Sequence, residues 1–259
     1  MTSLEKFSEN LENNSVTVDR IYSRDIKICQ HRNGYRFNSD SVILSWFIYR
    51  ILGGKKINRS LEIGSGTGVV PIILKKRGFA SAIECIEIQP GLFNLLQKNI
   101  SDNKLEDSLF PKNRDIREIT KEKDVKYDLV FTNPPYFGVD NGKINPDNEK
   151  ATSKHEFSGS LSDFMSVSKK ILNPGGHFIF IYPLSKIFFA MGSAMKNDFA
   201  LNHIFLFREN PDLSPVSFCA HLVFKGQSPV SVTDMITMRD DKGNYSKTGL
   251  EIMHEDQEG

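Results

Sequence analysis

The sequence predicts an α/β protein: a doubly wound, mostly parallel sheet of seven strands with one antiparallel strand, preceded by a small hairpin-and-helix appendage. Three observations carry that expectation. From Ser60 onward, short apolar strand-like runs alternate with helical ones. A glycine-rich turn joins the first of those strands to the first helix. No helical stretch separates Asn202–Phe207 from Phe218–Phe224, so these two should pair as an antiparallel hairpin at the end of the sheet.

The appendage spans residues 1–59. Val16 to Phe37 alternates in polarity and contains Asn33-Gly34, a strong two-residue hairpin signal that would set Ile26 and Ile28 against Tyr35 and Phe37. Asn38-Ser39-Asp40-Ser41 supplies helix-capping residues ahead of the apolar run Val42–Leu52, and Gly53-Gly54 ends that helix. The sheet domain spans residues 60–225. Leu61–Ile63 is its first strand and Val69–Lys76 its first helix. Ala82–Ile88 is the second strand, followed by a helix over Gly91–Ile100. Ser108–Arg114 is a weak third strand, and Pro111, which has no backbone N–H, marks it as an edge. Lys126–Thr132 is the fourth, and the polar loop after it, Phe137–Ser160, is too long for a bland connector. A helix over Leu161–Leu172 is broken by Asn173-Pro174-Gly175-Gly176; the fifth strand is His177–Tyr182, and Leu184–Lys196 is helical. Residues 226–259 form a C-terminal extension packed on or near the domain, with a short strand over Met235–Met238 and a turn at Lys242-Gly243-Asn244.

A chain of 259 residues, 39% hydrophobic and 25% charged, has the composition of an ordinary globular protein. No apolar run approaches the roughly 20 residues that span a bilayer. The polar, acidic start over Met1–Asn14 fits neither a signal peptide nor a basic transit peptide, so a cytoplasmic location is expected. Cys29, Cys85 and Cys219 lack metal-ligand spacing and should be reduced, mostly buried thiols. The histidines are equally scattered, and no metal is expected. Net charge is only +1, yet between Arg20 and Arg59 nine basic residues face two acidic ones. That segment suits a phosphate-binding face, or equally a solvated surface.

The chemistry lies in four loops. Glu62-Ile63-Gly64-Ser65-Gly66-Thr67-Gly68 follows the first strand, and its glycines permit positive φ and close approach of a ligand to the backbone. Val69 stands where a dinucleotide-binding fingerprint has its third glycine, which disfavours NAD. Glu87 ends the second strand, where a carboxylate accepts from both hydroxyls of a ribose. Asp115 follows the third, placed to receive an adenine amino group or to cap a helix starting at Ile116. The fourth strand runs into Asn133-Pro134-Pro135-Tyr136. Each proline forces the residue before it into extended geometry, which sets the Asn133 amide oxygen beside the Pro134 carbonyl oxygen. Two adjacent acceptors can hold both hydrogens of one amino group, and the Tyr136 ring can stack a planar base.

Taken in this order, the loops resemble the class I S-adenosylmethionine-dependent methyltransferases, over Ser60–Lys225. The Asn-Pro-Pro-Tyr signature resembles the subset acting on amino or amide nitrogens: adenine-N6 enzymes, ribosomal-RNA guanine-N2 enzymes and release-factor glutamine methyltransferases. Asp19-Arg20-Ile21 and the segment from Gln30 to Leu44 are similar to the start of the bacterial tRNA1(Val) adenine-N6 methyltransferases, which modify the adenine just 3′ of the anticodon. Ile144–Glu156 resembles their long loop, with Lys154 where that family usually has the more bidentate Arg.

The resemblance implies a Rossmann-like sheet, S-adenosyl-L-methionine as cofactor and tRNA as substrate, with no metal, membrane or obligate protein partner. It implies Asn133, Pro134, Pro135 and Tyr136 as the catalytic turn. Glu62, Gly64, Gly66, Gly68, Glu87, Asp115 and Asn133 would hold the cofactor, with Phe37 and Asp40 at its methionine end. Tyr136, Phe137, Lys154, His155, Arg32 and Arg36 would meet the RNA. Beside those roles, Asp40 also reads as a helix cap and Phe37 as core. A non-catalytic RNA-binding module is the reading from another class, and the intact glycines and Asn133 argue against it.

Overall fold

The computed structural model describes residues 16–21, 25–32, 36–121, 125–134, 159–226 and 232–253. Strands β1 (Val16–Ile21) and β2 (Ile26–His31) form an antiparallel hairpin with Ile21 opposite Ile26 and Val16 opposite His31. The hairpin expected around Asn33-Gly34 is therefore overturned. Ile26 and Ile28 pair with the segment before them, and Phe37 lies in irregular backbone. Turn preference is local, whereas strand pairing follows the long-range packing that leaves Ile26 and Ile28 fully buried. Asn33, Gly34 and Tyr35 lie outside the described residues.

Helix α1 (Ser39–Leu52) starts at an extended Asn38, whose side chain accepts from the Asp40 N–H at 3.1 Å. Asn38 is thus the cap, and Asp40 lies in the first turn, where a carboxylate favours the helix dipole. The apolar side of α1 packs on the sheet: Phe47 meets Phe205 edge-on at 5.1 Å between ring centroids, and Trp46 meets Phe207 at 6.4 Å. Burying Phe47 completely contributes about 2 kcal/mol.

The sheet alternates as expected: β3 (Arg59–Ile63), α2 (Val69–Lys76), β4 (Ala82–Glu87), α3 (Pro90–Asp102), β5 (Leu109–Asn113), a 3-10 turn (Ile116–Lys121) and β6 (Tyr127–Thr132). After the undescribed loop come α4 (Leu161–Ile171), β7 (Leu172–Pro183), α5 (Ile187–Lys196), β8 (Phe199–Arg208), β9 (Ser217–Phe224), β10 (Val232–Thr237) and α6 (Lys247–Met253). Strand order is β10-β8-β9-β7-β6-β3-β4-β5, so the sheet has eight strands rather than seven. The extra one is β10, longer than the short strand expected over Met235–Met238 and parallel to β8. β9 runs antiparallel to both β7 and β8, the single reversal expected. β5, with Pro111, is an edge strand. Asn173-Pro174-Gly175-Gly176 ends α4 as expected but belongs to β7, where the register with β6 shifts between Tyr127 and Leu129.

Both faces of the sheet are covered. Residues of α1, α2, α3 and α6, including Leu44, Ile72, Leu96 and Ile252, pack over one face. Phe164, Met165 and Ala190 of α4 and α5 pack over the other. Because β3 to β7 run parallel through this sandwich, their carboxyl ends share one edge, where an open α/β sheet takes its ligand.

Candidate cofactor and amino-group site

That edge gathers the loops singled out in the sequence. Gly64, Gly66 and Gly68 have φ of +70°, +55° and +85°. The loop folds over β4 through Gly64 and Ser65, whose N–H groups both donate to the Ile86 carbonyl at 2.9 Å. Gly68 meets a packing demand as well: a Cβ there would come within 2.5 Å of Leu96 Cδ1. At Gly64 and Gly66 a Cβ would enter open space, so those faces are available to a ligand.

Glu87 ends β4, and its carboxylate accepts from Gly66 N and Gln89 N, both at 2.8 Å. It therefore ties the glycine loop to the second strand. Burial raises its pKa, against the pull of those backbone N–H groups. Glu62, one residue from the end of β3, is 2% exposed, and its Oε2 has no hydrogen-bond partner. Burial pushes this carboxyl up to about 8, opposed by Ser65 and assisted by Glu87. Glu62 Oε2 and the neighbouring Ser65 Oγ are both buried without a close hydrogen-bond partner, so the pair keeps polar capacity for a ligand.

Asp115 accepts from the Arg117 N–H at 2.8 Å and pairs with its guanidinium, which lowers its pKa. The capping role is thus present at the 3-10 turn. The same residue lines a cleft of about 160 Å³ walled by Ile63, Ile86, Ile88 and Phe164. Arg114, Arg117 and Asp163 line it too, so the cleft combines apolar walls with a charged rim, a setting that suits a planar base bearing an amino group.

At the end of β6, Thr132 Oγ1 donates to the Ile63 carbonyl at 2.9 Å and locks the strand beside β3. Asn133 follows, half-buried, with Nδ2 donating to Ser41 Oγ on α1 at 3.3 Å. Pro134 is buried. Pro135, Tyr136, Phe137, Lys154 and His155 lie outside the described residues. Phe37 is half-buried against the core, and its N–H donates to Gln30 Oε1 at 3.1 Å. Asp40 accepts from Asn38 Nδ2 at 3.0 Å. Arg36 is exposed but engaged, with Thr17 at 2.8 Å and Asp19 at 2.7 Å; Arg32 is exposed just past β2. Among the described residues, no group of three or more potential ligands is arranged to hold a metal, and no helix is long and apolar enough to cross a membrane.

The residues present fit S-adenosylmethionine on two observations: the partnerless Glu62 oxygen and the open faces of Gly64 and Gly66, beside the apolar-walled cleft. Sequence reasoning missed two groups here. Ser41 stands in a serine-rich cap and carries no signal of its own. Asn99 and Asn103 do: two asparagines four apart on a helix face otherwise apolar, with Leu95, Leu96 and Ile100 buried around them.

A family model described as Eco57I restriction-modification methylase matches residues 57–211. The chain is 27% identical over 212 residues to a protein of a Flavobacteriaceae bacterium (strain 3519-10) named tRNA1(Val) (adenine(37)-N6)-methyltransferase, covering 80% of this chain and 84% of that one. A protein of the same name from Parabacteroides distasonis is 29% identical over 132 residues, covering 51% of this chain and about half, 54%, of that one. Among solved structures, one described as a predicted O-methyltransferase from Agrobacterium tumefaciens superposes with a TM-score of 0.64 at 12% identity, covering 82% of this chain and 94% of that one. It shares the fold.

Proposed function

For a chain that belongs to the Eco57I restriction-modification methylase family and is a methyltransferase, we propose transfer of a methyl group from S-adenosylmethionine to the exocyclic N6 of an adenine in tRNA. The target is the adenine just 3′ of the anticodon in tRNA1(Val), and the enzyme works in the cytoplasm. The observation that carries this reading is Asn133 at the end of β6, on the same edge as the glycine loop and Glu62. The names of the two relatives support the choice of RNA.

When bound, S-adenosylmethionine supplies an electrophilic methyl group on a sulfonium. The chain's own residues hold and orient. Gly64 and Gly66 let the backbone approach the ligand, Glu62 offers a buried acceptor to its amine, Glu87 meets the ribose, and Asp115 meets the adenine amino group. Phe37 and Asp40 flank the methionine end. The N6 lone pair of the target adenine is delocalised into its ring, which makes the nitrogen a poor nucleophile. Asn133 Oδ1 and the Pro134 carbonyl accept hydrogen bonds from its two N–H groups, favour a pyramidal nitrogen and stabilise the positive charge that grows on it. One N–H proton is then lost to water to leave the neutral methylated base. Tyr136 stacks the base; Phe137, Lys154, His155, Arg32 and Arg36 contact the RNA. An anticodon-loop base is unpaired, so moving it into the site costs less than extracting it from a duplex.

The test is a substrate panel: unmodified tRNA, ribosomal RNA, release factor and duplex DNA, each incubated with protein and labelled cofactor. Label confined to tRNA is expected. Label on release-factor glutamine or ribosomal guanine would reassign the same turn to another amino group.

A further inference from the structure

Two asparagines, Asn99 of α3 and Asn103 at its C-cap, stand in for a β-strand. β1 occupies one edge of β2, so Lys27 and Cys29, whose backbone groups point the other way, need partners from α3. Asn99 Oδ1 accepts from Cys29 N at 2.7 Å, and its Nδ2 donates to Cys29 O at 3.0 Å. Asn103 treats Lys27 the same way, at 3.2 and 2.7 Å. The spacings match: four helical residues rise about 6 Å and two strand residues about 6.6 Å. Both side chains are buried, Asn99 completely.

Their remaining hydrogen bonds differ. Asn103 Nδ2 turns back to the Asn99 carbonyl of its own helix at 2.7 Å. Asn99 Nδ2 also donates to the Thr67 carbonyl at 2.8 Å, inside Gly66-Thr67-Gly68. One carboxamide therefore grips β2 and the glycine loop together. The hairpin it holds is basic on its surface, with Arg20, Lys27 and Arg32 exposed.

We propose that Asn99 is a positioning residue that couples the N-terminal hairpin to the cofactor loop, so that a ligand ordering the loop also orders β2. By reciprocity, RNA loaded on the hairpin steadies the cofactor loop. This rests on the cofactor reading above. Asn103 holds β2 without reaching the loop, which makes it the control.

The experiment is amide hydrogen exchange on the whole chain with and without S-adenosylmethionine, for wild type, Asn99→Ala and Asn103→Ala. In wild type, the cofactor should slow exchange in the peptide containing residues 64–68 and in the peptide containing Lys27 and Cys29. Asn103→Ala should keep both effects. Asn99→Ala should keep the first, lose the second, and raise the KM for S-adenosylmethionine about tenfold with kcat within about twofold of wild type. Protection of the loop without protection of β2 in wild type overturns the proposal, even where Asn99→Ala does not fold. Equal loss of coupling in Asn103→Ala and Asn99→Ala also overturns it. No protection of the loop in wild type overturns the cofactor reading itself, and the coupling with it.

Discussion

Asn133 Nδ2 lies 3.3 Å from Ser41 Oγ and joins the end of β6 to the first turn of α1. The contact turns the donor end of the amide toward the N-terminal helix. In the proposed mechanism it fixes which end of Asn133 faces the substrate nitrogen. Ser41→Ala should lower kcat about fivefold, the worth of one hydrogen bond of about 1 kcal/mol, and leave cofactor affinity unchanged. Steady-state kinetics and cofactor titration check this; an unchanged kcat removes Ser41 from the site.

Glu62 makes stability depend on pH. Its folded pKa is raised from 4.5 to about 8, so between those values the folded chain keeps a proton that the unfolded chain has lost. Its contribution is fully present below about pH 4.5 and fades as pH rises through 8. Glu62→Gln mimics the neutral acid and should match wild type at pH 4.5. At pH 8, without cofactor, it should be more stable by on the order of 2 kcal/mol. Urea denaturation at the two pH values measures the gap, and a gap that does not change with pH contradicts the assignment.

The three glycines should separate into two kinds. Gly68→Ala meets both a φ of +85° and Leu96 Cδ1 at 2.5 Å, and should lose about 2 kcal/mol of stability. Gly64→Ala meets strain but no neighbour, and should lose about 1 kcal/mol. The same Gly64→Ala chain should bind S-adenosylmethionine more than about tenfold more weakly, because in the proposed site its methyl group would take space the ligand needs. Thermal unfolding paired with calorimetric titration distinguishes the two.

Binding of tRNA should weaken steeply with salt, since the exposed Arg20, Lys27 and Arg32 of the hairpin region would neutralise phosphates. Each of Lys27→Ala and Arg32→Ala should reduce the slope of log K against log salt by about 1. A flat salt response would remove the hairpin from the RNA-binding face.

Much of this was legible in the residues. Alternating strands and helices, Pro111 at an edge and the missing helix before Phe218 all report local chemistry, and the sheet follows from them. The four loop signals fall on one edge because parallel strands put their carboxyl ends together. What was not legible depends on distant partners. Asn33-Gly34 favours a turn, but it carries no information about which strand Ile26 and Ile28 join. β10 is held by its register with β8, from His203 to Arg208, which its own sequence does not announce. Asp115 caps the 3-10 turn, as one of its two readings has it, and it also lines the cleft. The Ser41–Asn133 and Asn99–Thr67 bonds join loops far apart in the chain and leave only the faint trace of polar residues on buried helix faces.

The most direct test of the account is nucleoside analysis of unmodified tRNA1(Val) after incubation with the protein and labelled S-adenosylmethionine, run beside Asn133→Ala. The account predicts N6-methyladenosine at the adenine just 3′ of the anticodon, formed at least about 100-fold more slowly by the variant. Absence of N6-methyladenosine from the tRNA, or full activity in Asn133→Ala, would contradict it.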